Sequence, residues 1–253
     1  MKSWTGNEFL AFRGIRYAKP PIKELRFKAP VPPDPWNGVA DAIKDGPSCV
    51  QFFGDYYGNP SEDCLFLNVY TKSLNGTRPV IVFFHPGGFF AQTAKSSQFG
   101  PDYLADEDIV LVTVNSRLGT LGYFSTGDEH AVGNYGLKDQ VMSLKWVKQN
   151  IGHFGGDPTS VTIAGDGTGS TAVLLHMLSP MSKGLFHKAI AMSGGVMNKW
   201  AVMDDPSKYA KRIGQLLNCD TSSSKSIVDC LNRLPAQKIQ DQLHSLRVNH
   251  PLF

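Results

Sequence analysis

The sequence predicts an α/β fold in which helices flank a mostly parallel β-sheet. Four short, nearly continuous apolar runs occur at residues 80–84, 109–115, 161–165 and 189–193. Runs of this length are typical of strands buried on both faces of a parallel sheet. Helical patterns lie between the second and third runs and between the third and fourth. Strands that alternate with helices in this way form βαβ units.

Both connecting segments repeat apolar residues at helical spacing, which places one apolar face of each helix against the sheet. The first segment has the set Leu137, Val141, Leu144, Trp146, Val147 and Ile151. The second covers residues 170–178 and has the set Val173, Leu174, Met177 and Leu178. Each segment therefore predicts one crossover helix.

The regions that flank the predicted sheet have different compositions. Residues 1–79 are rich in Pro and Gly and predict loops and short antiparallel strands packed across the sheet edge. The tail predicts short helices at residues 208–217, 223–231 and 236–246, with Pro235 at a helix start.

The composition excludes several classes of protein. The chain has 253 residues, 42% hydrophobic and 19% charged, with a net charge of +3. This charge is small and scattered, so it does not indicate a nucleic-acid partner. No apolar run approaches the roughly 20 residues of a membrane span, and no apolar stretch follows residues 1–4 to make a signal peptide. The length fits one large domain or part of a larger one.

A glycine-rich turn, GDGTG at residues 165–169, joins the third apolar run to the helix that follows it. This is the frame of a nucleophile elbow, G-x-S-x-G, whose strained strand-to-helix turn exposes a serine hydroxyl. Here the central residue is Gly167. No lysine lies between residues 165 and 171, as a phosphate-binding loop requires, and Ser170 replaces the third glycine of a dinucleotide fingerprint. A glycine turn without chemistry stays open on this pentapeptide alone.

Nine further segments occur in a fixed order along the chain. They are FRGIRYAKPP (12–21), LRF (25–27), SEDCLFLNV (61–69), HPGGF (85–89), NSRLG (115–119), GNYGLKDQ (133–140), NIGHFGGDP (150–158), SPMSKGLF (179–186) and SG (193–194). In this order the chain resembles the type-B carboxylesterase/cholinesterase family, and residues 125–140 look most like its arthropod members. The resemblance implies a partial α/β-hydrolase fold. It also implies that residues 1–253 are the N-terminal part of an incomplete carboxylesterase domain.

The resemblance assigns the parts of a serine-esterase site that needs no metal or organic cofactor. It implies an oxyanion hole formed by the backbone N–H groups of Gly87, Gly88 and Thr168, while Pro86 loses only its own N–H. An ordinary turn is the alternative for the two glycines. Gly167 stands at the nucleophile position and has no side chain that could attack. The hydroxyls of Thr168 and Ser170 are displaced from that position, and Ser193 is expected to be structural.

The family's acid and histidine follow the nucleophile in chain order, and the resemblance places both beyond Phe253. His244 and His250 do not match the catalytic-histidine segment. The remaining histidines are expected to be structural: His130, His153, His176, His187 and, in the glycine loop, His85. Two ion pairs, Arg26–Glu62 and Arg117–Asp139, are implied by the resemblance; unrelated surface charges are the alternative.

The four cysteines fall into two local pairs without metal-ligand spacing. Free buried thiols stay open from spacing alone, whereas the resemblance implies disulfides Cys49–Cys64 and Cys219–Cys230. Disulfides, together with a glycosylation sequon at Asn75, indicate a secreted glycoprotein. The missing signal peptide conflicts with secretion, and a truncated N-terminus would resolve the conflict.

Three functional hypotheses follow. The first is a carboxylic ester hydrolase lineage acting on a small-molecule ester in its full-length form, with this chain inactive because Gly167 replaces the serine. The second is a non-catalytic binding, adhesion or sequestration protein. The third is an unstable product whose open sheet edge aggregates.

Overall fold

A six-stranded mixed sheet forms the centre of the structure, a computed structural model that describes residues 1–248. The strands within these residues are β1 (Leu10–Arg16), β2 (Ser48–Cys49), β3 (Pro60–Ser61), β4 (Phe66–Thr71), β5 (Arg78–Phe84), β6 (Val110–Val114), β7 (Gly156–Asp166) and β8 (Lys188–Met192). The large sheet has the order β1-β4-β6-β5-β7-β8, and β2 pairs with β3 apart from it.

Strands β5 to β8 are mutually parallel, as the sequence predicts. The prediction that all four are buried is wrong for β8, which lies at the edge of the sheet with all five of its residues exposed. β6 pairs with β5, β5 with β7, and β7 with β8, all in the parallel sense. Val82, Val112 and Ile163 are fully buried on adjacent strands. β-Branched residues suit such strands because their stiff side chains pack well on a pleated surface.

The N-terminal region supplies the antiparallel strands predicted at one edge. β4 pairs antiparallel with β6, and β1 pairs antiparallel with β4. One expectation is wrong, because β2 and β3 are parallel to each other. Residues 50–59 bring the chain back to the end of the small sheet at which β2 begins, so β3 runs in the same direction as β2. A strand of two residues has no apolar alternation from which its direction could be predicted.

Helices cover the sheet and form the C-terminal part. The α-helices of the described residues are α1 (Ser96–Phe99), α2 (Gly119–Tyr123), α3 (Tyr135–Asn150), α4 (Thr168–Leu178), α5 (Pro206–Leu216), α6 (Ser224–Arg233), α7 (Ala236–Gln240) and α8 (Gln242–Val248). α3 and α4 are the two predicted crossover helices. Val141, Leu144 and Val147 of α3 are buried in the same core as the central strands.

The C-terminal helices build a second core. Ile213, Leu231 and Ile239 from this part pack in one cluster with Phe124 and Tyr135. The range predicted as one helix, residues 236–246, is two helices because the chain turns at residue 241. No helix among residues 1–248 has the length and apolar character needed to cross a bilayer.

Candidate functional site

The chain turns sharply where β7 meets α4. Gly167 lies between the two elements with φ +56° and ψ −118°, a backbone region that glycine adopts with little strain and other residues rarely adopt. Its N–H donates to Met192 O at 2.9 Å, and its O accepts from Thr171 N at 3.1 Å. The structure therefore contains the predicted strand–turn–helix elbow, with position 167 at its tip.

The glycines of this elbow differ in what a side chain would meet. A Cβ at Gly165 would overlap the backbone of Gly169, and one at Gly169 would overlap the backbone oxygen of Phe84. A Cβ at Gly167 meets one neighbouring heavy atom within 4 Å, the Cβ of Pro86 at 3.5 Å. That distance is an ordinary contact. Position 167 thus has room for a serine, and only its backbone torsion favours glycine.

The glycine loop, residues 85–92, follows β5 and lies beside the elbow. Its Phe89 N–H donates to Thr168 Oγ1 at 3.3 Å. Among the described residues, no hydrogen bond uses the backbone N–H of Gly87, Gly88 or Thr168. Buried backbone N–H groups normally have a hydrogen-bond partner. Gly87 and Gly88 lie in a turn that solvent reaches, and Thr168 lies in the first turn of the 11-residue helix α4, where N–H groups have no partner within the helix. These three N–H groups therefore have no hydrogen-bond partner within the described part of the chain.

Two aromatic residues of the glycine loop contact further aromatic rings. The Phe89 ring lies 5.0 Å from Tyr123 and 6.4 Å from Trp200, and the Phe90 ring lies 6.4 Å from Phe53. Trp200 is 40% exposed. The loop that contains Gly87 and Gly88 is therefore part of an aromatic cluster that solvent reaches at Trp200.

The nearby hydroxyls already have partners. Ser170 is fully buried and its Oγ donates to Gly194 O at 2.9 Å. Thr168 Oγ1 accepts the Phe89 N–H, and Ser193 lies exposed just after β8. No one of these hydroxyls occupies the tip of the elbow.

The buried histidines hold the structure together. His85 Nδ1 lies 2.7 Å from Pro86 O, and burial lowers its pKa while that hydrogen bond opposes the shift. His176 links α4 to two other segments, with Nδ1 2.9 Å from Ser182 Oγ and Nε2 2.9 Å from Gln140 Oε1. Burial lowers the pKa of His176 to about 4.

The remaining histidines are placed as follows. His187 Nδ1 accepts the Val161 N–H at 3.1 Å, His153 is exposed, and His130 is half-buried. The side chain of His244 and the whole of His250 lie outside the described residues.

Two buried arginines form ion pairs away from the elbow. Arg26 pairs bidentately with Glu62 at 2.6 Å and also donates to carbonyls at the end of α6. Arg117 pairs with Asp139 at 2.7 and 2.8 Å. Burial alone lowers the pKa of Arg117, but the Asp139 carboxylate outweighs it and the net shift is upward. Each pair links two segments that are 22 or more residues apart in the sequence.

Both disulfides are present, Cys49–Cys64 and Cys219–Cys230. Disulfides persist in oxidising compartments, so the pair fits an extracellular location. Asn75 is exposed in the turn before β5. Since the glycine loop follows the other end of β5, Asn75 lies at the opposite end of the sheet from the elbow.

Sequence reasoning missed two buried glutamines near the glycine loop. Gln51 and Gln240 are both fully buried. The Gln51 side chain accepts the N–H of Gln92 in the glycine loop, and the Gln240 side chain donates to the backbone oxygens of Val50 and Leu118. The available signal was weak: Gln240 is a polar residue next to Ile239 on the apolar side of a predicted helix.

Comparison with known proteins gives one family. A family model described as the carboxylesterase family matches residues 1–252. The chain is 47% identical over 242 residues to juvenile hormone esterase of Tribolium castaneum, a match covering 92% of this chain and 41% of that protein. It is 45% identical over 249 residues to esterase E4 of Myzus persicae, covering 94% and 44%.

A third relative is not named as an esterase. The chain is 38% identical over 273 residues to neuroligin-2 of Homo sapiens, a match covering 91% of this chain and 33% of that protein. The chain thus spans less than half the length of each of these relatives.

Proposed function

This chain belongs to the carboxylesterase family, and we propose that it keeps the family's site for an ester carbonyl but does not hydrolyse esters by itself. Family members act on carboxylic esters, so a small-molecule ester or its acid is the expected ligand. The backbone N–H groups of Gly87, Gly88 and Thr168 are its oxyanion donors. Gly167 stands where the attacking serine is expected.

The glycine at position 167 is the observation that carries this proposal. Acyl transfer needs a nucleophile, a base that activates it and donors for the oxyanion. The absence of a hydrogen-bond partner for the three N–H groups within the described residues supports a donor role, and Gly167 supplies no attacking hydroxyl. Losing the nucleophile of an intact triad costs on the order of 10⁶ in turnover. Ser170 does not substitute, because it is buried and donates to Gly194.

A base is the second missing part among the described residues. His176 is held by Ser182 and Gln140 inside the fold, and His85 is held by Pro86 O. The first atom that a new Cβ at position 167 meets is a carbon of Pro86. We therefore expect that a serine alone at this position does not restore hydrolysis.

The test compares ester hydrolysis by the wild type, Gly167→Ser and Gly167→Ala. The alanine variant is the matched control, because it adds the Cβ without the hydroxyl. With p-nitrophenyl acetate, we expect all three to stay at the rate of an unrelated protein of equal concentration. Hydrolysis by the wild type would refute the proposal. Hydrolysis by Gly167→Ser alone would show that a base is in place and that only the hydroxyl is missing.

A second candidate function is non-catalytic binding or sequestration of the same ligands. The donors without acceptors and the exposed Trp200 beside Phe89 favour it, as does the likeness to neuroligin-2. Phenylacetate, an aryl carboxylate, tests this candidate. Saturable shifts of the Gly87 and Gly88 amide resonances on titration would support binding, and unchanged resonances would contradict it.

We also propose that the protein is extracellular and carries a glycan on Asn75. The two disulfides and the exposure of Asn75 support this. When the chain is expressed behind a secretory leader in insect cells, we expect a glycosidase-sensitive mass shift that Asn75→Gln abolishes. The same mass for both proteins would contradict glycosylation at this residue.

A further inference from the structure

Two residues of the glycine loop have unusual backbone conformations. Phe89 has φ +62° and Gln92 has φ +86°, and residues other than glycine rarely adopt such angles. Strained conformations of this kind persist only where the surrounding structure holds them. The two residues bracket the segment that follows the amide donors of Gly87 and Gly88. Whatever holds Phe89 and Gln92 therefore sets the shape of this loop.

Gln51 binds both the N–H and the C=O of Gln92 through its side-chain amide. The Gln92 N–H donates to Gln51 Oε1 at 2.8 Å, and Gln51 Nε2 donates to Gln92 O at 3.2 Å. Gln51 Nε2 also donates to Cys49 O at 3.1 Å, inside the loop closed by the Cys49–Cys64 disulfide. The side chain is fully buried. One glutamine thus ties the strained Gln92 to a covalently closed loop.

Gln240 holds Phe89 indirectly, through the turn at Gly119. Gln240 Nε2 donates to Leu118 O at 2.7 Å, and its Oε1 accepts the Thr120 N–H at 2.9 Å. The residue between them, Gly119, donates its own N–H to Phe89 O at 2.7 Å. The amide of Gln240 therefore binds the carbonyl of the peptide whose N–H donates to Phe89, and also the N–H of the next peptide.

The two glutamines are also linked through the backbone of residues 50 and 51. Gln240 Nε2 donates to Val50 O at 2.8 Å, and Val50 is the neighbour of Gln51. Gln237, on the same short helix α7, donates to Gln51 O at 3.1 Å. The C-terminal helices are in this way linked to the glycine loop, although they contribute no atom to the amide donors.

We propose that Gln51 and Gln240 are positioning residues that hold the glycine loop in the conformation that presents the Gly87 and Gly88 amides. The Phe90 and Ala91 N–H groups donate to Gly87 O within the loop, and each glutamine side chain adds three hydrogen bonds that link the loop or its partner Gly119 to the rest of the fold. Preorganised donors stabilise a developing oxyanion because they need no reorganisation when it forms. The role of the Gly87 and Gly88 amides as oxyanion donors rests on the proposed function. The hydrogen bonds by which Gln51 and Gln240 hold the loop, called the clamp below, do not rest on it.

The test uses methionine, which has nearly the shape of glutamine but cannot donate a hydrogen bond. The variants are Gln51→Met and Gln240→Met. Gln140→Met is the matched control: Gln140 is also buried, but it binds Ser116 and His176 and has no hydrogen bond to the loop. All three lose buried hydrogen bonds, so a general loss of stability affects all of them.

The measurements are the amide resonances of Gly87 and Gly88 and the exchange rate of the Gly119 N–H. We expect both glycine resonances to move in Gln51→Met and Gln240→Met. Gln240→Met should also speed Gly119 exchange by about tenfold or more. Gln140→Met should change neither. Unchanged glycines in both loop variants, or equal changes in Gln140→Met, would overturn the proposal. If Gln240→Met does not fold, Gln240→Glu replaces it, because it keeps the acceptor for Thr120.

Titration with phenylacetate separates this inference from the function on which it rests. If wild-type Gly87 and Gly88 respond and both loop variants respond more weakly, the clamp positions a ligand site. If phenylacetate does not shift the Gly87 and Gly88 resonances of the wild type, but the Gln51→Met and Gln240→Met substitutions do shift them, the positioning role is supported and the proposed ligand is refuted.

Discussion

At the scale of single residues, the elbow separates two reasons for glycine. Gly165 and Gly169 are required by close approach, since a Cβ on either would overlap backbone atoms. Gly167 is favoured only by its positive φ, and the space around it is open. A serine at the centre of a nucleophile elbow is held in this strained backbone conformation, which costs stability but exposes the hydroxyl for catalysis. The elbow keeps the steric requirements of a catalytic turn while its central residue is relaxed.

This difference predicts unequal effects of alanine. Gly169→Ala should lower the free energy of unfolding by more than about 3 kcal/mol, because the Phe84 oxygen it meets belongs to β5 and cannot move alone. Gly167→Ala should cost about 1–2 kcal/mol, from backbone strain alone. Urea denaturation followed by circular dichroism measures both. Equal losses would show that the space around position 167 is not open.

His176 makes stability depend on pH. Its pKa is about 4 in the folded protein and about 6.5 when unfolded. Between these values the unfolded chain binds more protons, so stability is complete above pH 6.5 and falls as pH is lowered toward 4. The loss should be about 3 kcal/mol, and the lowered pKa of His85 acts in the same direction.

The check is the slope of unfolding free energy against pH between 6.5 and 4. His176→Gln should flatten this slope, and His153→Gln, which removes an exposed imidazole, is the control for the loss of a histidine. A slope unaffected by His176→Gln would assign the pH dependence to other groups.

Residues of the site differ in how far sequence could predict them. Gly167 and the Gly87–Gly88 pair belong to short contiguous segments, so their spacing alone indicates a turn. Gln51 and Gln240 are far apart in sequence and meet only through the fold. No local pattern relates them, because their partners are backbone atoms whose positions depend on tertiary structure.

At the scale of elements, Arg26 joins the N-terminal loops to α6. It pairs with Glu62 and donates to Leu231 O at 2.9 Å and Leu234 O at 2.8 Å, where that helix ends. A cation at a helix C-terminus also complements the helix dipole. Only the planar fork of a guanidinium reaches all of these acceptors.

Arg26→Lys should therefore lower the free energy of unfolding by about 2–4 kcal/mol, although the charge is kept. Arg16→Lys is the matched control. Arg16 also pairs bidentately, with Asp63 at 2.6 and 2.8 Å, but both partners are about one-third exposed. Its loss should stay below about 1 kcal/mol. Similar losses in the two variants, measured by urea denaturation, would refute a special role for Arg26.

The strands and helices that the sequence predicts correctly have clear apolar patterns. Strands β5 to β8 lie in short apolar runs, and helices α3 and α4 repeat apolar residues at helical spacing. Burial of β8 was predicted wrongly, because an apolar run alone does not show whether another element covers the strand. The parallel pairing of β2 with β3 could not be predicted, because two residues have no period. The break between α7 and α8 was missed for a related reason: apolar spacing continues across residue 241 while the backbone turns there.

At the scale of the whole molecule, the edge of the sheet at β8 has no further strand paired with it within the described residues. Within the described residues β8 pairs only with β7, and all five of its residues are exposed. Ile190 and Met192 on β8 and Leu178 at the end of α4 are 44%, 43% and 72% exposed. An unpaired strand edge with apolar neighbours is a template for pairing with another chain.

We therefore expect this chain to self-associate through β8. Sedimentation velocity over a range of concentrations should show a rising average mass. Ile190→Lys should suppress the rise, because a charge on an edge strand opposes pairing. Val39→Lys is the control: Val39 is 99% exposed and lies outside every strand and helix, so this variant removes at least as much exposed apolar surface at a site where no strand can pair. A monomer at every concentration would contradict this expectation. Association that Val39→Lys suppresses equally would indicate general surface hydrophobicity instead of strand pairing.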